Sequence, residues 1–238
     1  MALSTREDME NGLRSVRFSF TCDGERVPGV AWMPAGEDEP MPLVFIQHPA
    51  TSSKDDFFVE EPGRLWAQRG WICAGLDAPM HGERNPSDPM RLLQERDRYP
   101  EVVAQFAREL TMAVDELAAS YPVDMGRLGY VGYSMGSMLG VPAVARDGRF
   151  AAASFCLVGE GGMVGPASGE GSDIPGLATV AVRIVAKEQD ELIPRQATEA
   201  LYEALPGEKD LVWKPGGHFE IGQDVIVAAG DWLHRRLG

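Results

Sequence analysis

The feature that most constrains this fold is an alternation that runs from residue 43 to the end of the chain. Short, continuously apolar runs take turns with stretches of helical spacing. The runs are 43–47 (LVFIQ), 71–76 (WICAGL), 127–133 (RLGYVGY), 150–158 (FAAASFCLV), 179–186 (TVAVRIVA) and 210–214 (DLVWK). Apolar runs of this length, with no polar residue at every second position, are the pattern of strands covered on both faces. Helical spacing fills 59–69, 100–119, 135–145, 194–205 and 224–237. It is clearest at 100–119, where Val103, Phe106, Leu110, Val114 and Leu117 recur every three or four positions. Parallel strands need crossovers of a dozen or more residues, usually helices. The expected fold class is therefore α/β, with a mostly parallel, doubly wound sheet. Residues 14–33 read as an antiparallel hairpin that leads in, turning at Asp23-Gly24. Residues 78–98 read as a polar loop. Residues 159–177 read as a glycine-rich irregular stretch, either a surface loop or a small lid.

With no repeat and no interdomain linker in 238 residues, a single domain over 1–238 is expected. The formal charge of −14 lacks the footprint of a nucleic-acid or anionic-membrane binder. The three cysteines, Cys22, Cys73 and Cys156, are far apart and form no CxxC, so they read as small buried hydrophobes. The first residues, MALSTREDMENG, carry charges where a secretory leader has its apolar core, and no run reaches the length of a membrane span. A cytoplasmic location is the expectation. The oligomeric state stays open.

The chemistry is concentrated in Gly132-Tyr133-Ser134-Met135-Gly136, a G-x-S-x-G sequence. With 27 glycines in the chain the pattern alone decides little, but here a strand precedes it and a helix follows. A serine at the tip of a sharp strand-to-helix turn is presented at the carboxyl edge of the sheet. It also lies beside helix N–H groups that stabilise developing negative charge. A serine hydroxyl needs a general base, and the base needs an orienting carboxylate. Of His48, His81, His218 and His234, His218 sits in Pro215-Gly216-Gly217-His218-Phe219, a loop at the same edge. His234 lies in the last helix beside Arg235 and Arg236 and reads as a surface residue. The order Ser…Asp/Glu…His calls for a carboxylate between 134 and 218. Glu188, Asp190 and Glu191 compete for it. Asp190 is favoured as a short carboxylate at the loop tip before Leu192-Ile193-Pro194.

With these residues in view, the chain resembles the α/β-hydrolase superfamily over essentially its whole length. It is most similar to small serine esterases of the dienelactone hydrolase and prolyl-oligopeptidase-like branch. GYSMG at 132–136, DELIP at 190–194 and GGHF at 216–219 carry the resemblance, with Asp77-Ala78-Pro79-Met80-His81-Gly82-Glu83-Arg84 as a fourth element. It implies an α/β-hydrolase fold without a large cap domain, and a Ser134–His218–Asp190 triad. It also implies an oxyanion hole built from the N–H of Met135 and of a residue after the third core strand. That stretch departs from the family: it reads Gln47-His48-Pro49-Ala50, where His-Gly-x is usual. Proline has no N–H, so Ala50 becomes the first donor. His48 and His81 are read as loop-ordering residues by the same resemblance.

The expected reaction is hydrolysis of a small-molecule carboxylic ester through an acyl-enzyme. Phe57, Phe58, Met80, Met135, Met138 and Met163 are candidates to line the pocket, with Tyr133 packed under the nucleophile. No HExxH, GxGxxG or GxxxxGK[ST] pattern occurs, so no metal and no organic cofactor are expected. The same machinery could act on a thioester, peptide or carbon–carbon bond, and a hydrolase scaffold can also serve as a non-catalytic binding protein.

Overall fold

A computed structural model describes residues 3–85, 87, 88, 90–161 and 171–238. Among them, nine strands form one sheet, and the chain enters it through three antiparallel strands. These are β1 (Ser4–Glu10), β2 (Leu13–Cys22) and β3 (Glu25–Pro34). The β2–β3 hairpin turns at Asp23-Gly24 as expected. The sequence reading did not include β1. Every residue of STREDME is exposed, so this edge strand leaves no hydrophobic period to read. Its local signal is Asn11-Gly12, both with positive φ (52° and 77°), as a tight hairpin turn requires.

The alternating part follows as β4 (Met41–Gln47), α1 (Phe57–Ala67), β5 (Ile72–Leu76), a short α2 (Arg91–Gln94) and α3 (Tyr99–Ser120). It continues with β6 (Val123–Tyr133), α4 (Met135–Asp147), β7 (Ala152–Cys156), β8 (Ala181–Lys187), α5 (Arg195–Ala204), β9 (Lys209–Lys214) and α6 (Gln223–Leu237). The stretch read as a polar loop at 78–98 contains α2 and two single turns of 3₁₀ helix, too short to show a period. Strand β6 starts four residues before the apolar run at 127, because its first half is not fully buried and reads as polar.

The strand order is β1-β2-β3-β5-β4-β6-β7-β8-β9, and β5, β4, β6, β7, β8 and β9 are parallel neighbours. Helices cover both faces. Phe106 and Leu110 of α3, Leu139 of α4 and Leu201 of α5 join one apolar cluster. Trp66 of α1 joins Val225, Ile226 and Leu233 of α6 in the other. Adjacent strands β4 and β6 therefore send their following helices, α1 and α4, to opposite faces. Such a divergence at the carboxyl edge is where ligands bind in open α/β sheets. The register aligns this edge: Gln47 pairs with Gly132, Tyr133 with Cys156, Cys156 with Val185, and Lys187 with Lys214. The loops after β4, β6, β8 and β9 thus open at one level.

Candidate active site

Ser134 occupies the turn between β6 and α4 with φ 51° and ψ −110°, a strained conformation for a residue with a side chain. The flanking glycines follow from contact. A Cβ on Gly132 would lie 2.5 Å from the carbonyl of Gly136, and one on Gly136 would press on the Gln47 carbonyl. The turn is pinned from below. The Ser134 N–H donates to Cys156 O at 2.8 Å, the Tyr130 hydroxyl to Gly136 O at 2.7 Å, and the Ser137 hydroxyl to Gly132 O at 2.7 Å. Tyr133 is fully buried beneath this turn, its ring centroid 6.2 Å from that of Phe58.

The loops after β8 and β9 bring the next two residues to the serine. Ser134 Oγ lies 2.8 Å from His218 Nε2. His218 Nδ1 lies 3.0 and 2.9 Å from the two carboxylate oxygens of Asp190. With the Nδ1 proton facing the carboxylate, Nε2 is free to accept from the serine hydroxyl. Asp190 Oδ1 also accepts the N–H of Leu192 at 2.9 Å and of Ile193 at 2.7 Å. Burial alone would raise the Asp190 pKa. The hydrogen bond to His218 and the Ile193 N–H outweigh it, so the carboxyl is held below its ordinary range.

The two rivals for the acid have other partners. Glu191 Oε2 accepts the backbone N–H of His218 at 2.8 Å, which fastens the loop rather than the ring. That bond comes first among the causes that lower the Glu191 pKa. The Glu188 N–H donates to Lys214 O at 2.9 Å, joining the ends of β8 and β9. Gln189 adds two bonds to Gly216, N–H to carbonyl at 3.1 Å and side-chain oxygen to N–H at 2.7 Å. Sequence reasoning had no signal that could assign Glu191 and Gln189 these bracing roles.

On the opposite side, Met135 opens α4, and the first N–H groups of a helix have no intrahelical acceptor. Ala50 is half-buried on the loop after β4, whose carbonyls at Gln47 and His48 stand against Gly136. The Ala78 N–H donates to His48 Nε2 at 3.1 Å, so Nδ1 carries the proton and donates to Pro49 O at 2.7 Å. Burial pushes the His48 pKa down to about 3, which keeps the ring neutral. His81 donates from Nδ1 to Pro79 O at 2.9 Å and is buried, with its ring 5.4 Å from His48. Both histidines order loops here, and neither is bonded to Ser134. His234 is exposed on α6, and all three cysteines are free and buried.

Of the expected pocket residues, Met135 and Met138 are buried, Phe58 and Met80 are half-buried, and Phe57 is exposed. Met163 and the middle of the 159–177 stretch, residues 162–170, lie outside the described residues. Leu192, two residues after Asp190, and Phe219, next to His218, are also exposed. The Phe219 ring meets the His218 ring edge-on at 5.6 Å. Among the described residues no group of three or more His, Cys, Asp or Glu side chains could hold a metal ion. No helix among them is long and apolar enough to cross a membrane.

Comparison with solved structures gives matches over the whole chain. A cold-adapted esterase from an Arctic intertidal metagenomic library is 28% identical, with 100% of each chain covered and a TM-score of 0.83. A Klebsiella pneumoniae protein assigned as a dienelactone hydrolase is 19% identical over 94% of this chain and 100% of its own, with a TM-score of 0.74. An acetyl xylan esterase from Paenibacillus sp. R4 is 16% identical over 99% of this chain and 89% of its own, with a TM-score of 0.76. No protein-family model and no curated protein matches the sequence.

Proposed function

We propose that this chain, similar in fold and sequence to an α/β-hydrolase esterase, is itself such an esterase and cleaves carboxylic esters of small to medium acyl groups with Ser134, His218 and Asp190 as its catalytic triad. The observation that carries the reading is the unbroken hydrogen-bond chain Ser134 Oγ–His218 Nε2, His218 Nδ1–Asp190, at 2.8 and 2.9 Å. In this reading Ser134 Oγ attacks the ester carbonyl while His218 Nε2 takes its proton. Asp190 holds the imidazole in the productive tautomer and stabilises the imidazolium. The N–H groups of Met135 and Ala50 receive the oxyanion. His218 then protonates the leaving alkoxide, leaving an acyl group on Ser134. Water, deprotonated by His218, attacks that acyl-enzyme and releases the acid. The first proton transfer, from Ser134 to His218, runs between groups already 2.8 Å apart, and the tight turn at Ser134 keeps the hydroxyl in place.

The test is a matched substrate series with one acyl group and an oxygen, sulfur or nitrogen leaving group, followed by an acyl-length series. The reading expects the oxygen esters to be turned over best, with kcat/KM falling beyond medium acyl lengths. Preferred cleavage of amides, or a rate that rises steadily with long acyl chains, would contradict it.

A further inference from the structure

Lys54 has no role in the chemistry above, yet its side chain is only 1% exposed. Its ammonium lies 2.7 Å from Glu83, 2.8 Å from Asp55 and 3.2 Å from Asp77. The Lys54 backbone N–H also donates to Asp77 Oδ1 at 2.9 Å, so one fully buried carboxylate holds Lys54 by both side chain and main chain. Asp77 Oδ2 accepts in addition the Glu83 N–H at 2.9 Å. The Asp77 carboxylate fills the space a Cβ would need at Gly82.

These bonds join two loops at the carboxyl edge, the one after β4 and the one after β5. A second joint sits six residues earlier, where His48 Nε2 accepts the Ala78 N–H at 3.1 Å. At the root of the loop, the Gln47 side chain donates to Leu76 O at 3.0 Å. Ala50 lies between the two joints. Its stretch of chain is therefore clamped at both ends to the same neighbouring loop. Buried ion pairs add little net stability over apolar packing, so stability alone gives a weak reason for a fully buried lysine here. Directed bonds from one ammonium to three carboxylates do something packing does not: they select one height and one register for the loop. Three carboxylates also neutralise the lysine, which leaves no spare positive charge to meet a substrate directly.

We infer that Lys54 and Asp77 are positioning residues whose buried ion pair fixes the 48–54 loop and so holds the Ala50 N–H where the oxyanion forms. The inference rests on the proposed roles of Ser134 and Ala50. A misplacement of about 1 Å at a reacting group can cost about 100-fold, and loss of one oxyanion donor about 100- to 1000-fold.

The experiment compares Lys54→Met, Asp77→Asn and Glu83→Gln with Asp147→Asn. The last removes a buried carboxylate charge that pairs with Arg149 and Thr111 at the far end of α4. Each folded variant is assayed for kcat and KM on a neutral ester, and for affinity toward a trifluoromethyl ketone, whose hemiketal oxygen mimics the oxyanion. Lys54→Met and Asp77→Asn are expected to lower kcat by about 10- to 100-fold with KM within about twofold, and to weaken the ketone by the same factor. Glu83→Gln, at a half-exposed position, is expected to lose about threefold in both. Asp147→Asn is expected to keep both within about twofold even where its melting temperature falls. If Lys54→Met is not recovered folded, Asp77→Asn and Glu83→Gln carry the test. Wild-type kcat and ketone affinity in the folded strut variants would overturn the inference, as would an equal loss in Asp147→Asn. Mass labelling of wild type by a fluorophosphonate separates the two levels. Labelled Ser134 with unaffected strut variants removes only the strut, whereas an unlabelled Ser134 removes the triad reading beneath it.

Discussion

The two sides of the Ser134 turn are built differently. On the acid–base side, the loops 188–193 and 215–220 are held largely by main-chain bonds and by exposed carboxylates, such as Glu191 on the His218 N–H, with one buried cation, Lys187, on the Pro215 carbonyl. On the oxyanion side, the loops 48–54 and 77–84 are held by buried groups: neutral His48 and His81, and the Lys54–Asp77 pair. A bond between an exposed carboxylate and an N–H can be altered with little loss of stability. Removing one member of a buried ion pair strands the other and costs about 3–5 kcal/mol. The comparison teaches that the proton-transfer half can be dissected by substitution while the fold stays intact. The oxyanion half couples its geometry to folding.

The largest expected effects test the first half. Ser134→Ala should lower kcat by about a million-fold, and Asp190→Asn by about 10⁴-fold, as measured by steady-state kinetics on a neutral ester. Both should unfold within a few degrees of wild type. A large stability loss in either would break the contrast. Next in size, Lys54→Met should show the opposite balance, losing about 3–5 kcal/mol in denaturant titration together with the kcat effect given above. A stability equal to wild type would erase the distinction between the two sides.

A pH series sharpens the comparison further. Burial holds the His48 pKa at about 3, below the value near 6.5 of an unfolded chain. The unfolded state therefore binds the extra proton. This contribution is complete above about pH 6.5 and is lost as pH falls toward about 3. Burial also lowers the His81 pKa, with the same sign. Denaturant midpoints of wild type should fall between pH 7 and pH 4.5, and His48→Asn should remove about 1.4 kcal/mol per pH unit of that slope. Identical slopes would contradict a neutral buried ring. Asp190 acts only lower down. Its depressed pKa gives stability that is present above about pH 4 and lost as pH falls through the folded value. The smallest effect belongs to Glu191→Gln. It keeps an oxygen to accept the His218 N–H, so kcat should stay within about threefold. A loss as large as that of Asp190→Asn would move the acid to Glu191.

The same contrast decides what could be read from the chain itself. The alternation of buried strands and helices, the G-x-S-x-G turn and the histidine loop are local patterns, and they stand in the structure at or within a few residues of where spacing puts them. Asp190 could be favoured over Glu188 and Glu191 only by its place at the loop tip, because three neighbouring carboxylates look alike until the third dimension separates them. β1 escaped because a fully exposed edge strand carries no apolar period. Lys54 escaped for the opposite reason. In Thr51-Ser52-Ser53-Lys54-Asp55-Asp56 a lysine among polar residues reads as a solvated charge, and only the approach of Asp77 and Glu83 from another loop buries it. Pairings across loops have no sequence period, so the oxyanion side is the less legible half.

The central claim is that Ser134 is an activated nucleophile. It is tested most directly by intact-mass measurement after incubation with a fluorophosphonate, on wild type and on Ser134→Ala. The account predicts one adduct per wild-type chain, mapped to Ser134, and none on the variant. An unmodified, folded wild type, or an adduct that persists in Ser134→Ala, would contradict it.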